Sequence, residues 1–189
     1  MTKPGERKLQ ILQTLAGMLE NPKAEKITTA ALAARLDVSE AALYRHFASK
    51  AQMYEGLIDF IESSILSLIN QINQKQESGL LQARTIVRML LDFSEENPGM
   101  TRVLIGDALV NEDERLQQRM NQFFDKVEMS LRQTWKLAAT QAIVRETEAS
   151  SRASLMMCFV MGRWLRFVKS NFQQRPTDGA AEQIALFLG

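Results

Sequence analysis

An all-α fold of about nine helices is what this sequence predicts, and three observations carry the expectation. In each long segment apolar residues recur three and four apart, the spacing that lines one face of a helix. The four prolines, Pro4, Pro22, Pro98 and Pro176, stand where helices begin or end rather than inside a periodic run. No stretch alternates apolar and polar residues between turn signals, as a half-buried strand would. With 46% of its 189 residues hydrophobic, the chain can bury a core and is not a disordered polymer.

Each element follows from local pattern. Leu9, Leu12, Leu15, Ala16 and Leu19 predict a helix over 6–20, stopped at Asn21-Pro22. Thr28 or Thr29 then caps a short helix over 30–36 with an apolar face of Ala30, Ala33 and Ala34. Ser39 caps a second short helix over 40–47, and Ser49 a long one over 51–75. The long helix carries the stripe Met53, Leu57, Phe60, Ile61, Ile65, Leu68, Ile69 and Ile72. Gly79 opens the next helix, which runs to Glu96 and is broken by Asn97-Pro98-Gly99. A shorter helix over 100–109 precedes a charged, glutamine-rich one over 112–138, with Leu116, Met120, Phe123, Phe124, Val127 and Leu131 inside. An apolar helix over 147–172 and a terminal one over 179–188 complete the chain.

The stretch from Ile27 to Phe47 has the organisation of a helix-turn-helix. Two short helices joined tightly must cross steeply, so a small residue is needed at the contact. Ala33 fits it, with Leu32, Leu36, Val38, Leu43 and Phe47 filling the surrounding core. Held this way, the second helix protrudes and fits the roughly 12 Å wide major groove of double-stranded DNA. Ser39, Glu40, Ala41 and Ala42 lie at its leading end, the two alanines suited to close approach and to thymine methyls. Tyr44, His46, Lys50 and the hydroxyls of Thr28 and Thr29 are placed to reach phosphates. Arg45 reads a base or clamps a phosphate, and the pattern leaves both roles open.

Charge and composition agree with that use. Residues 1–54 carry a formal +3, the remainder −2, so one end of the chain is suited to phosphate. The single cysteine, Cys158, can form no internal disulfide, which suits a reducing compartment. No apolar run approaches the ~20 residues of a bilayer span, and no signal peptide precedes the first helix. The expected location is the cytoplasm, at the nucleoid, without membrane contact. His46 is the only histidine and has no neighbours at ligand spacing, so no metal is expected. No nucleophile–base pair or glycine-rich phosphate loop is present, which argues against an enzyme or a cofactor.

The segments Ile27-Thr-Thr-Ala-Ala-Leu-Ala-Ala and Val38-Ser-Glu-Ala-Ala-Leu-Tyr-Arg-His-Phe-Ala-Ser-Lys50 strongly resemble the reading head of the TetR family. Leu43, Tyr44, Phe47 and Lys50 form its most specific element. Beyond the head, Leu57-Ile-Asp-Phe-Ile-Glu-Ser-Ser, Glu96-Asn-Pro-Gly-Met-Thr-Arg-Val-Leu, Arg115-Leu-Gln-Gln-Arg-Met-Asn-Gln-Phe-Phe and Arg166-Phe-Val-Lys-Ser-Asn-Phe are similar to the nucleoid occlusion members of that family. The resemblance implies a TetR-like fold and a homodimer on palindromic chromosomal sites. It also implies that the DNA-bound protein antagonises assembly of the division protein FtsZ. Phe60 and Asn97 match the pattern of the FtsZ-binding surface, whereas Leu68 and Glu96 stand for arginines and Asp92 for a glycine.

Two domains are expected, a reading head over 1–54 and a body over 55–189 for dimerisation and partner binding. The apolar helix near the C-terminus carries hydrophobic residues on more than one side. Its second side, with Met157, Met161, Trp164 and Val168, is expected to meet another copy. Two heads would then stand roughly 34–36 Å apart, one turn of a palindromic site. The alternative is a TetR-type repressor whose body closes on a small apolar ligand, with Met53, Phe60, Met89, Phe93 and Phe123 as candidate lining.

Overall fold

The computed structural model describes residues 4–21 and 27–188. Among them are nine α-helices, two short 3-10 turns and no strand. The helices are α1 (Pro4–Glu20), α2 (Thr29–Arg35), α3 (Glu40–Tyr44), α4 (Lys50–Lys75), α5 (Gly79–Glu96), α6 (Pro98–Leu104), α7 (Glu114–Thr140), α8 (Ala149–Lys169) and α9 (Ala180–Leu188). No helix among the described residues is long and apolar enough to cross a membrane. The expected stop at Pro22 and the charges of Lys3, Lys23, Glu25 and Lys26 lie outside the described residues.

Three ends differ from the sequence pattern by more than two residues, each for a local reason. The second short helix closes at Tyr44 rather than 47, with the His46 and Phe47 amides both bonding the Leu43 carbonyl. The expected helix over 100–109 is interrupted by Gly106, whose φ of 78° turns the chain into a 3-10 turn at Asp107–Leu109. The long apolar helix stops at Lys169 because Asn171 and Phe172 adopt φ of 53° and 64°. There the Phe172 amide bonds back to the Phe167 carbonyl at 2.8 Å and the two rings meet edge-on at 5.1 Å. The backbone bond satisfies a carbonyl that would otherwise be left open at the helix end, and the ring contact holds the turn in place.

The chain packs as two compact units, Met1–Ile61 with Asn97–Arg119, and Glu62–Glu96 with Met120–Gly189. In the first, Ile11, Leu15 and Leu19 of α1, Leu32, Leu43, Met53 and Leu57 are all buried. α6 lies directly on α1: a β-carbon at Gly99 would stand 2.0 Å from the Ala16 carbonyl oxygen. Arg102 of α6 reaches back to the Leu19 carbonyl at 3.2 Å while its Nε donates to Asp107 at 2.7 Å. In the second unit two tryptophans anchor the core. The Trp164 indole donates to the Leu90 carbonyl at 3.2 Å, and that of Trp135 lies 3.3 Å from the Met156 sulfur. Both rings are fully buried with their polar edge satisfied.

Gly17 of α1 and Gly99 of α6 should respond oppositely to alanine. Gly99→Ala forces a methyl into backbone and should cost about 3 kcal/mol. Gly17→Ala, with open space around its β-carbon, should add about 0.5–1 kcal/mol through helix propensity. Urea unfolding midpoints check both, and an unchanged midpoint for Gly99→Ala would show that α6 can leave α1 without cost.

Candidate nucleic-acid interface

Helices of seven and five residues are too short to persist alone, so caps and packing must make the reading surface. Thr28 is extended, and its Oγ1 accepts from the Ala31 amide at 3.1 Å, which starts α2. α2 ends with Asp37 at φ 53°, the Val38 amide bonding the Ala33 carbonyl and the Asp37 amide that of Ala34. That pair of bonds closes the helix and turns the chain within three residues. Ser39 then caps α3, its Oγ accepting from the Ala42 amide at 3.3 Å. Leu32, Ala33, Leu43 and Phe47 are buried, whereas Ala30 and Ala34 are exposed. Of the three expected alanines, only Ala33 forms the crossing contact, because Leu32 takes the rest of the inward face.

The exposed side of this pair gathers the predicted residues. Thr29 Oγ1 donates to the Glu40 carboxylate at 2.6 Å, and the Tyr44 hydroxyl to Thr29 Oγ1 at 3.4 Å. This chain pins the start of α2 to α3 and holds the one acidic group of α3 to a neutral donor. Ala41, Tyr44 and Arg45 are exposed, and Ala42 and His46 half-buried. Phe47 packs on Gly56, where a β-carbon would approach its ring to 3.0 Å, with the Lys8 ammonium 5.6 Å from the ring centroid.

The start of α4 is built by a reciprocal cap. Ser49 Oγ accepts from the Gln52 amide at 3.1 Å, and Gln52 Oε1 accepts from the Ala48 amide at 2.8 Å. The Ser49-Lys-Ala-Gln52 order carried this signal, although sequence reading singled out Ser49 alone. Lys50 follows as the first residue of α4. Its ammonium is ion-paired with Glu112 and sits 5.7 Å from the Tyr54 ring centroid. Burial pushes the Tyr54 phenol well above its ordinary range, and the Glu112 carboxylate adds to the effect. Lys50 thus already holds an anion from its own chain, 62 residues away, a contact no local pattern announces.

The residues expected at a partner surface fall in both units. Phe60 is half-buried, and Asn97 stands at the N-cap position of α6, its carbonyl accepting from the Thr101 amide and hydroxyl, both at 2.9 Å. In the second unit Leu68 and Glu96 are exposed, while Arg88 Nε holds both Asp92 carboxylate oxygens at 2.9 and 3.0 Å. Asp92 therefore presents little bare negative charge. The expected dimer residues need correction. Met157 and Trp164 are 3% and 0% exposed inside their own chain and cannot meet a second copy without unpacking it. Met161 is exposed and Val168 half-buried, and Leu155 and Leu165 are the further exposed apolar residues of α8. Met53 and Phe123, considered as ligand lining, are buried packing residues.

Capped short helices with an exposed alanine-bearing face, in a chain whose described residues form no strand, define a helix-turn-helix DNA-binding protein. Residues 24–57 match the model of bacterial regulatory proteins of the tetR family, and residues 75–188 that of the SlmA-like, tetracyclin repressor-like C-terminal domain. The nucleoid occlusion factor SlmA of Alteromonas mediterranea is 43% identical, over 98% of this chain and 95% of its own length. That of Shewanella loihica is 47% identical over 94% and 90%. The chain belongs to the SlmA family of TetR-type DNA-binding proteins. Its fold recurs in the fatty acid degradation regulator FadR of Bacillus halodurans at a TM-score of 0.83 and 12% identity, covering 100% of this chain and 97% of that one. FadR of Bacillus subtilis, solved with stearoyl-CoA, gives 0.77 at 10% identity over 96% and 97%; at such identity the likeness is one of fold.

The left-handed residue at the turn sets a testable asymmetry. Asp37→Gly should stabilise the fold by about 0.5–1 kcal/mol, because glycine adopts this φ without a steric cost. Asp37→Val should destabilise it by more than about 1 kcal/mol. Thermal melting distinguishes them, and equal effects would mean the turn relaxes to another conformation.

Proposed function

We propose that this protein is a nucleoid occlusion factor: a homodimer that binds palindromic double-stranded DNA through α2 and α3 and, once bound, antagonises FtsZ assembly. The observation that carries the reading is the α2–turn–α3 unit, whose caps and buried Leu32, Ala33 and Leu43 leave Ala41, Tyr44 and Arg45 outward. Membership in a family whose relatives are named for nucleoid occlusion supplies the biological context. In this reading Ala41 and Ala42 lie against base edges, while Thr28, Thr29, Ser39, Tyr44, His46 and Lys50 serve the phosphate backbone. Glu40, tied to Thr29, fixes α3 on α2. Residues 1–54 serve as the reading head and 55–189 as the dimerisation and partner-binding body. The exposed Leu155, Met161 and Leu165 of α8 supply the apolar contact between copies, and Phe60 and Asn97 belong to the FtsZ-binding surface. The protein acts by binding, in the cytoplasm at the nucleoid.

FtsZ sedimentation with this protein, with and without a palindromic duplex selected from genomic fragments it retains, tests the whole reading. Polymer should be lost only when protein and duplex are both present. Undiminished polymer despite tight DNA binding would replace it with a transcriptional repressor. Tyr44→Ala should weaken binding to all duplexes alike while leaving the salt slope unchanged, because the phenol is neutral and releases no counterion. A change confined to sequence preference would move Tyr44 to base readout. Leu155→Glu should halve the mass measured by light scattering, and an unchanged dimer mass would place the interface elsewhere.

A further inference from the structure

Lys50 has two claims on its charge. The DNA reading sets it at a phosphate, and the folded chain sets it at Glu112. We propose that Glu112 is an internal stand-in for a DNA phosphate, holding Lys50 in the free protein and yielding it when duplex binds. The inference rests on the DNA-binding reading above and assigns Glu112 as a residue that sets DNA affinity.

Four observations support the exchange. Lysine carries a compact charge on a flexible stem, so the same ammonium can turn from one anion to another without the fixed fork geometry of arginine. Lys50 is the first residue of the 26-residue α4, and the positive end of a helix favours an anion there whether it is carboxylate or phosphate. The pair is not sealed, with 30% of the Lys50 side chain and 19% of that of Glu112 still exposed, so a phosphate can compete from solvent. Finally, Glu112 belongs to a connector that is not helical. It follows Val110, 67% exposed, and Asn111, held at φ 65°.

That connector is the route by which the exchange is felt elsewhere in the same unit. A cleft of about 450 Å³ lies beside it, bordered by Leu19, Lys50, Tyr54, Arg102, Asp107 and Glu112. The Arg102–Asp107 pair, at 2.6 Å, ties the connector to α6, which follows Asn97 at its N-cap position. Releasing Glu112 removes the hold of α4 on the far end of this segment while Arg102 keeps its near end on α1.

Fluorescence anisotropy with one palindromic duplex, at low salt, tests the exchange through a double-mutant cycle. Glu112→Gln should tighten binding on the order of threefold, since the pair it breaks is partly exposed. In a Lys50→Ala background the same change should do nothing, because no ammonium remains to be contested. Equal tightening in both backgrounds would make Glu112 a general repulsive charge and overturn the proposal. Unchanged or weaker binding by Glu112→Gln would overturn it too, provided its melting temperature stays near that of the parent. Glu112→Ala, which also removes the ammonium's partner, should repeat the result. Failure of the unmodified protein to bind any duplex would instead bring down the DNA reading, and the exchange with it.

Discussion

The approach of Gly99 to the Ala16 carbonyl is the contact on which the first unit depends. It allows no side chain at that position, because any β-carbon would overlap a backbone oxygen. With the glycine there, α6 lies directly against the first helix of the DNA-binding part, and Arg102 secures it through the Leu19 carbonyl. A segment that begins at residue 97 is thereby part of the same compact unit as residues of the reading head. Because interiors are packed closely, a shift at one side of such a contact must be answered at the other.

The reading surface itself is held by small local terms. α2 and α3 are shorter than any helix that would be stable in isolation, and each cap contributes only about 1 kcal/mol. Their persistence comes from buried Leu32, Ala33 and Leu43, with α2 packed on α1, and from Phe47 packed on Gly56 of α4. The outer face is then free to be chemically permissive. Alanine there has no rotamers to fix, and the one acid of α3 is bonded to Thr29. A surface built this way is ordered before DNA arrives, so little of the binding energy is spent arranging it.

Much of this was legible in the residues, because it is local. The caps at Thr28, Ser39 and Ser49, the small residue at Ala33 and the helix-breaking Asn97-Pro98-Gly99 are all features of consecutive positions. Non-local facts were hidden. Nothing near Lys50 in sequence indicates that Glu112 folds onto it, since the pair spans a long loop of chain. The apolar character of 153–168 was equally plain, but periodicity shows only that a face is apolar, not which neighbour covers it. Trp164 and Met157 turned out to serve their own core, leaving Leu155, Met161 and Leu165 on the outside. The end of α8 was overestimated because the pattern Arg-Phe-Val-Lys-Ser-Asn-Phe continues a helix period, while Asn171 and Phe172 leave helical space to close it.

The close approach of Gly99 to Ala16 predicts that α6 and the DNA-reading helices respond to a bound duplex as one body. Hydrogen exchange of the α6 amides, Gly99–Leu104, with and without a bound duplex, measures it directly. If α6 docks on α1 as one body, exchange of its amides should slow on DNA binding together with that of α1. Exchange in α6 that stays the same while α2 and α3 become protected would contradict the claim and confine the effect of DNA to the head.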